Sequence, residues 1–235
     1  MTADHTGPVE HRIHDMPRHH FSETLDEIQQ GLVHMGSVVL ENVRRAGDAM
    51  VEGRLDLIQT VKDTDETVNQ MYLDLERQTF ETLARQQPVA GDLRFLVAAT
   101  RMLYELERSG DLAVNCVKML ERLDGFPHHD RITSLMEQMV TASCKVFAKA
   151  VDALADLTPT AGVDLDNDDD EVDDLVSEFY AAVGRYSEDV GLDAAIGFSR
   201  VGRFVERIAD HAVNIGENVT YIVTASFPGD VPAGE

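Results

Sequence analysis

Seven residues of this chain recur at a fixed interval of 99 positions: Arg101, Glu107, Arg108, Asp111, Ala113, Val114 and Asn115 return as Arg200, Glu206, Arg207, Asp210, Ala212, Val213 and Asn214, with no insertion between them. A chain duplicated in this way must build the same local structure twice. The hydrophobic spacing says which structure. Phe21, Leu25, Ile28, Leu32, Met35, Val39, Val43, Ala46 and Met50 step by three or four residues, the signature of one apolar helical face. After a break at Gly125, Phe126 and Pro127, the same spacing returns at Ile132, Leu135, Met139, Ser143, Val146, Ala150, Ala153 and Leu157. No segment alternates as a strand does, and β-branched residues fall at helical intervals.

The breaks divide the chain into six helices. The first covers Phe21 to Met50 and the second runs from near Leu55 to Arg85. Gln87-Pro88-Val89-Ala90-Gly91 ends the second, because proline restricts the residue before it and lacks an amide hydrogen. A third helix spans Gly91 to Leu123, and a fourth ends at Leu157, closed by Thr158, Pro159 and Gly162. The fifth is expected to start in the acidic run near Asp168, and the sixth to follow Gly191 and reach Thr224. The expected fold is therefore all-α: two tandem three-helix bundles over residues 21–124 and 130–224, a His-rich tail expected to be disordered over 1–20, and a flexible tail over 225–235.

Composition narrows the function classes. At 235 residues and 43% hydrophobic content the chain can bury a real core. Forty-three acidic against 20 basic residues give a net charge of −23, which repels phosphate backbones and anionic lipid and argues against direct nucleic-acid binding. No run approaches the roughly 18 apolar residues of a membrane span, and the opening segment, with His5, His11, Arg12, His14, Arg18, His19 and His20, lacks the apolar core of a signal peptide. A cytoplasmic location without membrane insertion is the expectation. Cys116 and Cys144 lie in apolar helical patterns without metal-ligand spacing and read as reduced core residues.

The repeated polar residues carry the chemistry. Glu107, Asp111 and Asn115, and likewise Glu206, Asp210 and Asn214, stand at i, i+4 and i+8. At about 100° per residue they form a stripe that drifts along the edge of the apolar face of Leu103, Leu106, Gly110, Ala113, Val117 and Leu120. Second helices correspond as well: Asp65 and Asn69 match Asp169 and Asp173 at an offset of 104. Like charges at this spacing cost a few tenths of a kcal/mol per pair on an isolated helix, and more where helices converge in reduced dielectric. A compensating cation is therefore expected. Arginines lie beside the carboxylate rows, with Arg94, Arg101 and Arg108 at intervals of seven and Arg200 and Arg207 in the second half. A hard or borderline metal held by several carboxylates compensates better. The candidate metal ligands are Asp65, Asn69, Glu107, Asp111, Asn115, Asp169, Asp173, Glu206, Asp210 and Asn214.

Against this stands the reading of paired carboxylates as solvated faces, and of the run Asp166 to Asp174 as acid at the positive end of a helix dipole. Duplication favours function for the paired carboxylates, whereas for the run the dipole reading is preferred and function is reserved for Asp169 and Asp173. A calcium loop is rejected, because counting from Asp164 puts Asp169 at the required glycine and Leu175 at the bidentate glutamate. Ferritin-like di-iron chemistry would need Glu and His at i, i+3 on two helices, and no such pair lies on the expected helices. His211, beside Asp210, has Leu112 as its counterpart and reads as a core histidine more readily than as a ligand.

At this point the residues resemble a known family. Glu107-Arg108-Ser109-Gly110-Asp111 and Glu206-Arg207-Ile208-Ala209-Asp210-His211-Ala212-Val213-Asn214 resemble the twin metal-binding signatures of the PhoU phosphate-signalling proteins, and Gln87-Pro88-Val89-Ala90-Gly91-Asp92-Leu93-Arg94 resembles the loop before that family's third helix. The resemblance covers about residues 21 to 224. It implies two three-helix bundles related by a pseudo-twofold axis, each displaying a multinuclear iron or zinc cluster. It also implies a non-enzymatic negative regulator linking the phosphate-specific ABC transporter to a sensor histidine kinase, with a homodimer as the expected assembly. No nucleophile and base stand at a useful spacing. The alternatives are a carboxylate-bridged metallohydrolase of phosphatase type and a metal-free helical adaptor.

Overall fold

The structure, a computed structural model, describes residues 18–226, with side chains from residue 21 onward. Six long helices carry it: α1 (Arg18–Glu52), α2 (Ile58–Gln86), α3 (Ala90–Arg122), α4 (Asp130–Asp156), α5 (Ala161–Arg185) and, after the single turn α6 (Ser187–Val190), α7 (Leu192–Thr224). A short 3-10 turn, Leu55–Leu57, leads into α2. Helix α1 begins three residues inside the segment expected as a tail; the rest of that segment, residues 1–17, and residues 227–235 lie outside the described residues.

One element starts well before its expected position. Helix α5 begins at Ala161, not near Asp168. Pro159 does stop α4, whose C-cap Leu157 turns into the left-handed region at φ 50°. Gly162, however, lies within α5 and does not break it. A Cβ at Gly162 would stand 3.2 Å from the Glu217 Cα, so glycine serves close approach to α7 there. The Gly162 amide donates to Thr220 Oγ1 at 3.0 Å, fixing that approach.

Within each half, three helices bury a common apolar seam. Helix α2 lies against α1 and α3, and α5 lies against α4 and α7. The halves are fused along two further contacts, α1 on α4 and α3 on α7, so the core is continuous from one half to the other. Phe147, Phe179 and Phe198 are fully buried, and each such side chain contributes about 1.5–3 kcal/mol by leaving water. Phe126, from the inter-half connection, stacks on Phe198 at 4.6 Å and pins that connection to α7. Gly125 supplies the positive φ of 102° that starts the turn.

Buried polar groups tie helices in register. Asn42 of α1 donates to the Val61 carbonyl of α2 at 3.0 Å, and Ser143 of α4 donates to the Val205 carbonyl of α7 at 3.2 Å. Gln29 of α1 donates to the Leu154 carbonyl at 3.0 Å and the Ala155 carbonyl at 3.1 Å, satisfying the end of α4. No helix among the described residues is long and apolar enough to cross a membrane.

The arrangement leaves α2 and α5 on the outside, each forming a groove with the third helix of its half. The α5–α7 contact is the tightest test of this packing. A Cβ at Gly216 would meet the Leu165 side chain and stand 2.9 Å from the Ala161 carbonyl oxygen, which cannot move without moving α5. We expect Gly216→Ala to destabilise the protein by about 1–3 kcal/mol in urea unfolding. Gly184→Ala, which meets nothing within 4 Å, is expected to be neutral or stabilising by up to about 1 kcal/mol.

Candidate metal centre

In the α2/α3 groove, Gly110 is the floor. A Cβ there would stand 2.8 Å from Asp65 Oδ1, so the missing side chain lets an α2 carboxylate lie directly on the α3 backbone. Asp65 is only 8% exposed. Its Oδ2 accepts a long bond from Asn69 Nδ2 at 3.4 Å, and its buried Oδ1 has no hydrogen-bond partner. Such an orphaned acceptor is uncommon in native interiors and calls for a reason. Burial pushes the Asp65 carboxyl up to about 6, and the neighbouring charges of Asp111 and Glu107 add to the effect. Glu107 is also raised, by burial first and then by Asp111. Arg108 offsets part of this charge through Nη1 to Asp111 Oδ2 at 3.1 Å, while its guanidinium lies over the Tyr104 ring.

The α5/α7 groove repeats the arrangement. Asp169 again has a buried, unpartnered Oδ1. Its carboxyl is pushed up to about 7 by burial, then by Asp173, Asp210, Asp166 and Asp170. Asp173 is raised by burial and by Glu206 and Asp210, and Asp210 by burial and by Glu206. The compensating ion pair here is Arg203 to Glu206 at 2.6 Å. The expected stripe arginine, Arg207, acts on Asp210 only through its charge.

Thus eight of the ten candidate ligands gather into two sets: Asp65, Asn69, Glu107 and Asp111, and Asp169, Asp173, Glu206 and Asp210. Asn115 is half-buried one turn beyond Asp111. Asn214 donates through Nδ2 to Glu105 Oε2 at 3.2 Å, across the junction between the halves. His211, 7% exposed, shares that oxygen through Nδ1 at 2.5 Å, leaving its buried Nε2 without a partner. Sequence reading missed Glu105, because its counterpart 99 positions on is Phe204 and the repeat gives it no partner. Much of the run Asp166 to Asp174 is ordinary surface: Asp168 pairs with Lys149 at 2.5 Å and Glu171 with Lys145 at 3.5 Å.

No group of three or more His, Cys, Asp or Glu side chains among the described residues stands preassembled around a metal position. What the grooves provide is the donor chemistry. All the donors are oxygen, one carboxylate oxygen in each groove is buried without a partner, and the carboxyls of Asp65, Glu107, Asp169, Asp173 and Asp210 are pushed toward neutrality by burial first and then by neighbouring carboxylates. These residues fit a hard or borderline cation. Both cysteines are free and buried, with thiols raised to about 12 for Cys116 and about 11 for Cys144 by loss of solvent, so neither offers a thiolate.

The raised carboxyls link stability to pH. A carboxyl whose folded pKa lies above its unfolded value of about 3.9 stabilises the fold fully below that value and loses the contribution as pH rises through the folded pKa. For Asp65 and Asp169 that window runs from about pH 4 to between 6 and 7. In chelator-treated protein, the urea midpoint of the wild type relative to Asp65→Asn/Asp169→Asn is therefore expected to fall between pH 5 and 8. A pH-independent difference would remove the case for strained carboxylates.

Comparison with known proteins places this geometry. The PhoU domain pattern matches residues 32–120 and 136–219, one match in each half. The Synechocystis protein described as a phosphate-specific transport system accessory protein PhoU homolog is 29% identical over 214 residues, covering 91% of this chain and 95% of the relative. PhoU homolog 2 of Mycobacterium tuberculosis is 28% identical, with 88% and 98% covered. The crystal structure of PhoU from Pseudomonas aeruginosa superposes with a TM-score of 0.82 at 26% identity, covering 88% of this chain and all of that one. With one domain match on each helical bundle, and with relatives and a solved structure aligned over nearly their whole lengths, this chain belongs to the PhoU family.

Proposed function

We propose that the protein is a regulatory accessory component of phosphate-specific transport, acting in the cytoplasm, whose two carboxylate grooves hold iron or zinc ions. The reading rests on one observation above the others: a buried carboxylate oxygen without a partner occurs at the same repeat position in both halves, at Asp65 and Asp169. A bound cation supplies positive charge to those oxygens and open positions for an anionic partner group such as phosphate or a carboxylate. The ligands are Asp65, Glu107 and Asp111 in the first half and Asp169, Asp173, Glu206 and Asp210 in the second, with Asn69 supporting Asp65.

The relatives are named for transport accessory function, which supports a partner in the phosphate ABC transporter. Repression through a sensor histidine kinase, and a homodimeric state, complete the proposal. A surface of net charge −23 suits reversible contacts that are steered by charge and weakened by salt.

Two measurements test it. Elemental analysis of untagged protein is expected to find iron or zinc, reduced in Glu107→Ala/Asp111→Ala and nearly absent when Glu206→Ala and Asp210→Ala are added, with helicity retained. A phosphate-starvation reporter at high phosphate is expected to rise in a deletion strain, fall with the wild type, and stay high with the quadruple variant. Full metal content in the quadruple variant would reduce the grooves to solvated faces; equal low signal in all strains would exclude repression.

A further inference from the structure

Helices α3 and α7 run antiparallel along the seam between the halves. A Cβ at Gly197, near the start of α7, would meet the side chains of Leu123 and Phe126 at the end of α3, while Glu105 in α3 reaches His211 and Asn214 late in α7. These contacts fix which face of each helix borders the seam. Arg101 stands four residues before Glu105 and Arg108 three after it, so both share its face, and Arg94 joins them seven residues before Arg101. On α7, Arg207 stands four residues before His211, and Arg200 seven before that. Because the helices are antiparallel, the step from Glu105 to Arg108 and the step from His211 to Arg207 go the same way, and Arg108 and Arg207 lie abreast across the seam. They are equivalents in the 99-residue repeat, and so flank the axis that relates the halves.

Arg101, Arg108, Arg200 and Arg207 are all exposed. Elsewhere in this acidic protein cationic side chains find carboxylates: Arg45 holds Glu41 at 3.1 Å, Lys62 holds Glu121 at 2.8 Å, and Arg131 holds Glu178 at 2.7 Å. Arg101, Arg200 and Arg207 have no hydrogen bond or ion pair among the described residues, and Arg94 keeps a buried Nε without a partner. Arg108 alone of the row is held, by Asp111. Glu105, the carboxylate within the row, is engaged by His211 and Asn214. Seven residues of helix carry the chain about 10 Å, so the row from Arg94 through Arg101, Arg108 and Arg207 to Arg200 is about 30 Å long. It is narrow, because the carboxylate edges of Glu107 and Asp111 and of Glu206 and Asp210 border it on either side.

From this we infer that the α3/α7 seam is a docking surface for an acidic helix of a partner protein, whose carboxylates the arginine row receives. Two guanidiniums abreast on the axis repel each other until an anion stands between them, and the arginine fork matches a carboxylate bidentately. A helix with carboxylates seven residues apart presents one about every 10 Å on one face, which is the interval between arginines on α3 and on α7. A free phosphate ion is too small to engage more than the central pair. A nucleic-acid duplex, with a charge per about 1.7 Å of its axis, would press further phosphates onto the carboxylate edges on both sides. The surface acts whether or not the grooves hold cations.

The test uses untagged full-length protein and a fluorescently labelled, alanine-based helical peptide with glutamate at every seventh position, read by anisotropy at low salt beside the matched glutamine peptide. The wild type is expected to bind the glutamate peptide about tenfold more tightly than the glutamine peptide, an advantage that added salt removes. Arg101→Gln/Arg200→Gln is expected to weaken that binding about tenfold, roughly threefold per arginine. Arg77→Gln/Arg85→Gln, an equal change of charge on the outer helix α2, is expected to leave it within about twofold. Chelator treatment is expected to change neither result, so a failure of the cation reading would not move this one. Equal binding of the two peptides, or equal weakening by the two double variants, would overturn the docking surface. Tighter binding of an oligonucleotide of the same charge would assign the row to a nucleic acid, and self-association of the wild type that Arg101→Gln/Arg200→Gln abolishes, without peptide binding, would assign it to a second copy; either would overturn the acidic helix.

Discussion

Everything described here hangs on the packing of the duplicated third helices, α3 and α7, against each other. Each is 33 residues long, long enough to serve three neighbours at once. One side joins the halves, another closes the bundle, and the edge between carries the carboxylates. Because the candidate ligands stand on helices locked by buried apolar contacts, not on loops, their positions are fixed by the same packing that stabilises the fold. The cost of placing like charges on these edges is a few tenths of a kcal/mol per exposed pair. A single buried phenylalanine such as Phe179 or Phe198 contributes about 1.5–3 kcal/mol. The hydrophobic core can therefore hold the carboxylates in a conformation they would not choose by themselves, and burial against the neighbouring helix raises the carboxyls further.

How close two helices come is decided residue by residue, and glycine does that work here. Gly110 admits Asp65 to the α3 backbone, while Gly162 and Gly216 bring α5 onto α7. The two halves thus share a plan and differ in where along each helix pair glycine permits the approach. Divergence after duplication has kept the motif and altered its surroundings.

Much of this was legible in the sequence. The six long helices follow from apolar spacing of three and four, and the carboxylate edges follow from turning α3 about its axis, because both depend only on helical geometry. Gly162 was not legible, since a glycine after a proline looks the same whether it ends a helix or serves close packing inside the next. Arg203 was missed because the repeat points to Arg207, and the choice between them depends on side-chain reach across one turn. Glu105 was missed because its reason lies on another helix, at His211 and Asn214.

The Glu105 contact also bears on how the two halves can be assembled. At the aligned positions, Phe204 replaces Glu105 and Leu112 replaces His211, so the polar bridge exists only between a first half and a second half. Two copies of the first half docked in this geometry would set Glu105 against Leu112, with Asn115 in the place of Asn214 and no histidine. Two copies of the second half would leave His211 and Asn214 facing Phe204. The bridge of Glu105 to His211 therefore joins unlike halves, and the single chain with one half of each kind is the combination that forms it.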